Sequence, residues 1–274
     1  MIFKYMNKDE RVNAMETKRV ALITGSSKGI GKGIAQALAK QEVAVVVTSR
    51  QLSDAQTLAK EIQDEGGCAL GLEFDIELQS HLSLIIHQTI EHFGRLDVLV
   101  NNAVNQNCLL PSMDFSDEET IKTITTNLSH NYLLSQKAYP YLKANQGCII
   151  NIASVVANQH LLGLPLYGLV KGAIVQMTKV LAAEWANSKV RVNAINPGFI
   201  RTQAFVDLGF EPEVIDRAYG FYDGYQPLSG VGQPDDVANA VLFLSNEASS
   251  FMTGAVLDVD GGFSVKALEL YNGS

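Results

Sequence analysis

Apolar residues fall along this chain in short, nearly unbroken runs, and between those runs they recur at helical spacing. The runs cover residues 20–24, 43–48, 69–74, 97–100, 148–153, 190–195 and 255–259. Their length and β-branched content predict strands, and apolar residues at successive positions predict burial on both faces, as in a parallel sheet. Helix-length segments separate them at 31–40, 53–65, 79–93, 117–143, 167–187 and 234–245. Regular alternation of strand and helix implies right-handed crossovers. The expected fold is α/β: a doubly wound, three-layer sandwich around a mainly parallel sheet of about seven strands.

No internal repeat, low-complexity tract or Pro/Gly-rich linker divides the chain, so residues 18–265 are expected to form a single domain. Residues 1–17 mix charged and polar side chains around Met6 and Met15, and are expected to be a mobile extension. Residues 266–274 are expected to be a tail. One stretch breaks the rhythm. Residues 203–230 carry Phe205, Phe210, Tyr219, Phe221, Tyr222 and Tyr225 among prolines and glycines. The stretch reads as an irregular excursion, and because it follows a strand's carboxyl end it is expected to be a substrate lid.

Charge narrows the partners. The formal net charge of −8 argues against nucleic acid or an anionic membrane, since both select clustered cations. No apolar run reaches the roughly 18 residues that span a bilayer, and the first residues cannot form a signal-peptide core. A cytoplasmic location is expected. Cys68, Cys108 and Cys148 are widely spaced, with no Cys-x-x-Cys, and the five histidines include no His-x-x-x-His. Neither a disulfide framework nor a metal site is expected.

The first strand runs into Thr24-Gly25-Ser26-Ser27-Lys28-Gly29-Ile30-Gly31 and then a helix. Gly25 allows a tight turn, and the later glycines let backbone approach a pyrophosphate at the helix N-terminus. The placement between strand and helix points to a dinucleotide. An NAD site ordinarily ends its second strand in an acid that holds the ribose hydroxyls. Here the segment reads Thr48-Ser49-Arg50. Arg50 and Lys28 are suited to a 2′-phosphate, so NADP(H) is expected as the preferred cofactor, with NAD(H) as the alternative.

Tyr167 and Lys171 stand one helical turn apart, at the opening of a helix beyond the 148–153 strand. Tyr139 and Lys143 share the spacing, but they lie late in a long helix beside Pro140, where an interface or packing role is expected. A free phenol titrates near about 10 and is a poor base at neutrality. An ammonium about 4 Å away is worth several kcal/mol at an effective dielectric near 20, which favours the phenolate. Tyr167 could then give a proton to a carbonyl oxygen, or take one from an alcohol. Ser154, at the tip of the strand, is placed to donate to that oxygen.

Taken together, the glycine loop, Asp75 after the third strand, Asn101-Asn102-Ala103, Asn127, Ser154, Tyr167 with Lys171, and Pro197-Gly198 resemble the short-chain dehydrogenase/reductase family over residues 18–265. The resemblance implies a Rossmann-type fold and hydride transfer between a nicotinamide and a ketone or secondary alcohol. By it, Asn127 would organise a water in a relay through Lys171, and Lys171 would also bind the nicotinamide ribose. Ser154 would orient the substrate. Asp75 and Ile76 would approach the adenine, with Asn102 and Ala103 beside the cofactor. Pro197, Gly198, Ile200 and Thr202 would hold its carboxamide and phosphate side. The family usually has Gly after Asn-Asn-Ala, whereas this chain has Val104, whose β-branch disfavours positive φ.

Many relatives of this kind reduce 3-oxoacyl groups on an acidic acyl carrier protein, which needs basic residues near the site. This chain offers Lys143 within 139–145, and Ala183-Glu184 where relatives carry a cation. A small free ketone, sugar or polyol is therefore the leading substrate class, with the carrier-bound acyl group as the alternative. A non-catalytic dinucleotide-binding regulator, and epimerisation or dehydration on the same fold, are further readings. The helix after Tyr167 is apolar on more than one face through Leu169, Val170, Ile174, Val175, Met177, Val180, Leu181 and Trp185. A homo-oligomer, dimer or tetramer, is expected, with burial inside one subunit as the alternative.

Overall fold

Strands come where the apolar runs predict them. In the computed structural model, which describes residues 18–105, 111–203, 206, 209, 211–228 and 230–265, they are β1 (Val20–Ile23), β2 (Ala44–Ser49), β3 (Ala69–Glu73), β4 (Val98–Asn101), β5 (Cys148–Ile152), β6 (Arg191–Pro197) and β7 (Val256–Val259). They form a single parallel sheet in the order β3-β2-β1-β4-β5-β6-β7. The expected extension 1–17, the tail 266–274, Cys108, and Phe205 and Phe210 of the expected lid lie outside the described residues.

The helices are α1 (Gly29–Lys40), α2 (Leu52–Asp64), α3 (Gln79–Phe93), α4 (Asp117–Ile124), α5 (His130–Asn145), α6 (Pro165–Trp185), α7 (Pro212–Tyr225) and α8 (Pro234–Ser245). Their ends follow local chemistry. Gly94, at φ +73°, closes α3 in the left-handed conformation. Ser116 and Glu119 form a capping box that starts α4. Pro165 and Pro234 occupy first-turn positions, where no N–H partner is needed.

Two expectations are corrected. The segment 117–143 is not one continuous helix: a π-helical turn, Thr125–Ser129, separates α4 from α5, and Asn127 sits in it. Hydrophobic spacing averages over such an inserted residue and does not reveal it. The stretch 203–230 is not irregular throughout either. It contains α7, begun by Pro212 and with Glu213 in its first turn.

Two apolar layers flank the sheet. Leu22, Val46, Leu99 and Ile149 point to the side of α3, α5 and α6, and Ile23, Val45, Val100 and Ile150 to that of α1, α2 and α8. Of the apolar residues on α6, Val170, Ile174, Val175, Met177, Leu181 and Trp185 are buried within the chain, while Leu169 and Val180 remain exposed. Burial within one subunit thus accounts for most of that face. Among the described helices, one stretch, Pro165–Ser188, is long and apolar enough to cross a membrane, and half of it is covered by the rest of the fold. Cys68 and Cys148 are free thiols. Among the described residues no cluster of His, Cys, Asp and Glu could hold a metal.

Candidate active site

The strand order reverses between β1 and β4, and crossovers leave in opposite directions there, so a crevice opens at the carboxyl ends of the strands. The cleft holds about 470 Å³. Gly25, Ser27, Lys28, Gly29, Ile30, Gly31, Arg50, Asp75, Ile76, Asn102, Ala103, Ser154, Tyr167, Lys171, Pro197, Gly198, Ile200 and Thr202 all line it. Of the expected site residues, only Asn127 does not.

The glycine turn is a cradle that side chains would fill. Gly25 and Gly29 hold φ of +61° and +57°. A Cβ on Gly31 would stand 2.5 Å from the Gly25 oxygen and 2.7 Å from Asn102 Nδ2. Lys28 starts α1 without a side-chain cap, so the amide end of that helix faces the cleft. That arrangement suits a pyrophosphate, and the open space between α1 and β6 suits a dinucleotide laid across the switch point.

Hydroxyl residues that the sequence reading missed shape this turn. Thr24 Oγ1 accepts from the Asn102 and Ala103 amides, both at 2.9 Å. Asn102 Nδ2 returns bonds to the Thr24 and Gly25 oxygens at 2.9 Å. The Gly25 amide donates to Thr48 Oγ1 at 2.9 Å, and the Thr48 amide to Ser26 Oγ at 2.9 Å. The signal was present, since Thr24 and Thr48 are hydroxyl residues at the ends of otherwise apolar runs and Ser26 lies in the glycine turn between them. Lys28 and Arg50 stand exposed at the rim, with Ser49 beside Arg50. Asp75 Oδ1 accepts from the Glu77 amide at 2.9 Å, while the Asp75 amide donates to His81 Nδ1 at 3.1 Å. The Asp75 carboxylate thus shapes its own turn as well as facing the cleft.

At the other end, α6 carries Tyr167 and Lys171 on one face. Lys171 is buried, and its Nζ donates to the Ile152 carbonyl at 2.8 Å and stands 5.5 Å from the centre of the Tyr167 ring. Ser154 lies two residues beyond the end of β5 in extended backbone, and its Oγ accepts from the Val156 amide at 3.4 Å. Strand end and helix start therefore aim a hydroxyl, a phenol and an ammonium into one corner of the cleft. Tyr139, which shares the spacing to Lys143, packs at a tilt against Trp185 with ring centres 4.6 Å apart and bonds Ser188 Oγ at 2.7 Å. It is a packing residue.

Asn127 lies behind this corner. Its Oδ1 accepts from the Asn105 amide at 2.7 Å, and its Nδ2 donates to the Asn105 oxygen at 3.1 Å. Asn105 lines the cleft in its place. Val104 needs no glycine conformation, because among the described non-glycine residues positive φ is confined to Glu42, Gln146 and Lys189.

The helix α7 packs against the cleft's far rim. The Tyr219 hydroxyl donates to the Thr202 oxygen and accepts from the Thr202 amide, each at 3.1 Å, and Arg201 lies 4.3 Å over its ring. Tyr222 stacks on Phe199, and Phe263 meets both Phe199 and Tyr225. The described aromatics of this stretch thus pack partly on one another, through Phe221 with Tyr222 and Tyr225, and partly on Phe199, Arg201 and Phe263 beyond it. Burial pushes the Tyr222 phenol above its ordinary value.

Residues 25–264 match the family model described as enoyl-(acyl carrier protein) reductase. The chain is 35% identical over 249 residues to a tropinone reductase homolog of Arabidopsis thaliana, covering 90% of this chain and 92% of that one. It is 36% identical to a 3-oxoacyl-(acyl-carrier-protein) reductase of Synechocystis sp., covering 90% and 97%. A solved structure of 7α-hydroxysteroid dehydrogenase complexed with NADH and 7-oxo glycochenodeoxycholic acid superposes with a TM-score of 0.83 at 31% identity, covering 94% of this chain and 98% of the other.

Proposed function

The chain belongs to the short-chain dehydrogenase/reductase family of oxidoreductases, and from that premise we propose that it exchanges hydride between NADP(H) and a small ketone or secondary alcohol, with Tyr167 as the acid/base. The observation that carries the reading is that Ser154, Tyr167 and Lys171 line one cleft, with Lys171 held between the Tyr167 ring and the end of the strand that leads to Ser154.

The nicotinamide, when bound, supplies or accepts the hydride. The chain does the rest. Ser154 Oγ holds the carbonyl oxygen, and the Tyr167 hydroxyl gives that oxygen its proton as the carbon is reduced. Lys171, fixed by Ile152, keeps a positive charge beside the phenol and stabilises the phenolate left behind. In the oxidative direction the same phenolate takes the alcohol's proton. Asn127, reaching the cleft through Asn105, completes the set, and a proton lost by Tyr167 is replaced along the Lys171 side. Lys28 and Arg50 at the rim, with no acid at the end of β2, support NADP(H) over NAD(H). Asp75 and Ile76 flank the adenine, and Pro197, Gly198, Ile200 and Thr202 the nicotinamide side. Leu169 and Val180, left exposed on α6, support self-association as a dimer or tetramer.

A second reading, reduction of a 3-oxoacyl group on acyl carrier protein, is favoured by the Synechocystis relative. An oxidation screen with NADPH and NADH over ketones, quinones, sugars and an acyl-carrier mimic separates the two. Tyr167→Phe is the control. Its activity is expected to fall by at least about 100-fold, the scale of general acid catalysis, and unchanged activity would sink the mechanism.

A further inference from the structure

Asn127 is set from outside the catalytic corner. Asn105, whose backbone grips it, is itself tethered: Asn105 Nδ2 donates to Glu77 Oε1 at 2.6 Å. The other carboxylate oxygen of Glu77 pairs with Lys122 Nζ at 2.7 Å. Three separate pieces of chain meet here: the turn after β3, the loop after β4, and the last turn of α4. That turn leads straight into the π-helical turn that carries Asn127.

We propose that Glu77, braced by Lys122, is a positioning residue that sets Asn127 through Asn105. The proposal rests on the dehydrogenase/reductase reading of this site. A half-exposed lysine paired with a carboxylate is worth little by itself, since Lys122 and Glu77 are 54% and 27% exposed at the side chain. The pair matters because it fixes a carboxylate that receives a charge-assisted hydrogen bond from Asn105. That bond holds the loop in which Val104 and Asn105 follow Ala103, and the loop's backbone in turn makes both side-chain bonds of Asn127. Glu77 also raises the affinity of Lys122 for its proton, chiefly through their hydrogen bond.

The test is a double-mutant cycle in the full chain between Glu77→Ala and Asn127→Ala, reading kcat, the KM for the dinucleotide and the pH dependence of kcat. Glu77→Ala is expected to lower kcat about tenfold, a modest misplacement of the catalytic set. Glu77 lines the same cleft, but as a group that acts chiefly on the reaction it should change the dinucleotide KM less than kcat, by about twofold or less. In the Asn127→Ala background the same change should have no further effect on kcat. The pH at which kcat falls should move alike in both single variants, and stay put in Asp64→Ala, which breaks an exposed ion pair with Lys60. Glu77→Gln, which keeps an acceptor for Asn105 should the alanine variant fail to fold, is expected to retain most of the activity. Losses in kcat that multiply across the cycle, or an effect confined to the dinucleotide KM, would overturn the proposal. Full activity in Tyr167→Phe would instead overturn the underlying reading, and the two failures are distinct because they are read in different variants.

Discussion

Lys171 Nζ donates to the carbonyl oxygen of Ile152 at 2.8 Å, so the ammonium is anchored to the end of the strand that delivers Ser154. The bond joins α6 to β5 and fixes the distance from ammonium to phenol. Replacing the side chain with an apolar one of similar length, Lys171→Met, removes both the charge and the donor. The Ile152 oxygen is then buried without its partner, at a cost of about 1–3 kcal/mol. Thermal unfolding should show the melting temperature lower by roughly 2–10 °C for a chain of this size. Activity should fall at least as far as in Tyr167→Phe.

Arg50 is exposed at the cleft rim beside Ser49. Reversing its charge in Arg50→Asp is expected to weaken NADP(H) binding by about 10- to 100-fold, the loss of one charge-assisted contact with a phosphate. NAD(H) affinity should hold or improve, because an acid at this point suits ribose hydroxyls. Titration of both dinucleotides checks the ratio, and an unchanged ratio would remove Arg50 from cofactor selection.

Gly31 sits where a methyl group would press on the Gly25 oxygen at 2.5 Å and on Asn102 Nδ2 at 2.7 Å. Its neighbours are backbone and a side chain held by two hydrogen bonds, so neither can yield freely. Gly31→Ala should therefore spread the glycine turn and reduce dinucleotide binding by at least about tenfold, or cost a few kcal/mol of stability as overpacking. Calorimetric titration together with a melting curve separates the two effects.

Tyr219 closes a hydrogen-bonded ring with the backbone of Thr202, one of the cleft-lining residues. Tyr219→Phe keeps the ring under Arg201 but removes both bonds. About 1–2 kcal/mol of local stability should be lost. The expected readout is faster proteolysis near α7 and a several-fold higher dinucleotide KM, with kcat changed less.

Asp260 gives the fold an acid-sensitive joint. Burial pushes its carboxyl up, but hydrogen bonds from the Ser264 hydroxyl and amide and from the Gly262 amide outweigh this and hold it below the ordinary value. The stabilisation is fully present above the unfolded-state value near about 3.9, and is lost as pH falls through the lower folded-state value. Asp260→Asn should be less stable than the parent at pH 6. The difference should shrink on acidification, and melting curves taken from pH 6 down to pH 2 check it.

The sequence determined the architecture because the central strands β1, β2, β4 and β5 are nearly continuous apolar runs buried on both faces, as in a parallel sheet covered by helices, while the edge strands β3 and β7 are only partly covered. Helix ends were equally legible where a proline, a glycine or a capping box marks them, as at Pro234, Gly94 and Ser116. The cleft residues followed, since strand ends are local in sequence and the topology brings them together at one edge. The tertiary structure decided what depends on contacts between distant segments. Asn127 carries no sign in its own neighbourhood that it lies behind Asn105, because the π-helical turn adds one residue inside an otherwise regular helical pattern. The tethers from Thr24 to Asn102 and from Glu77 to Asn105 link positions far apart in the chain, where periodicity says nothing about pairing. The helix α7 was obscured for a related reason. Of its aromatics only Tyr219 is buried, while Tyr222 and Tyr225 lean on Phe199 and Phe263 of other segments, so its own pattern of polar and apolar positions reads as a loop.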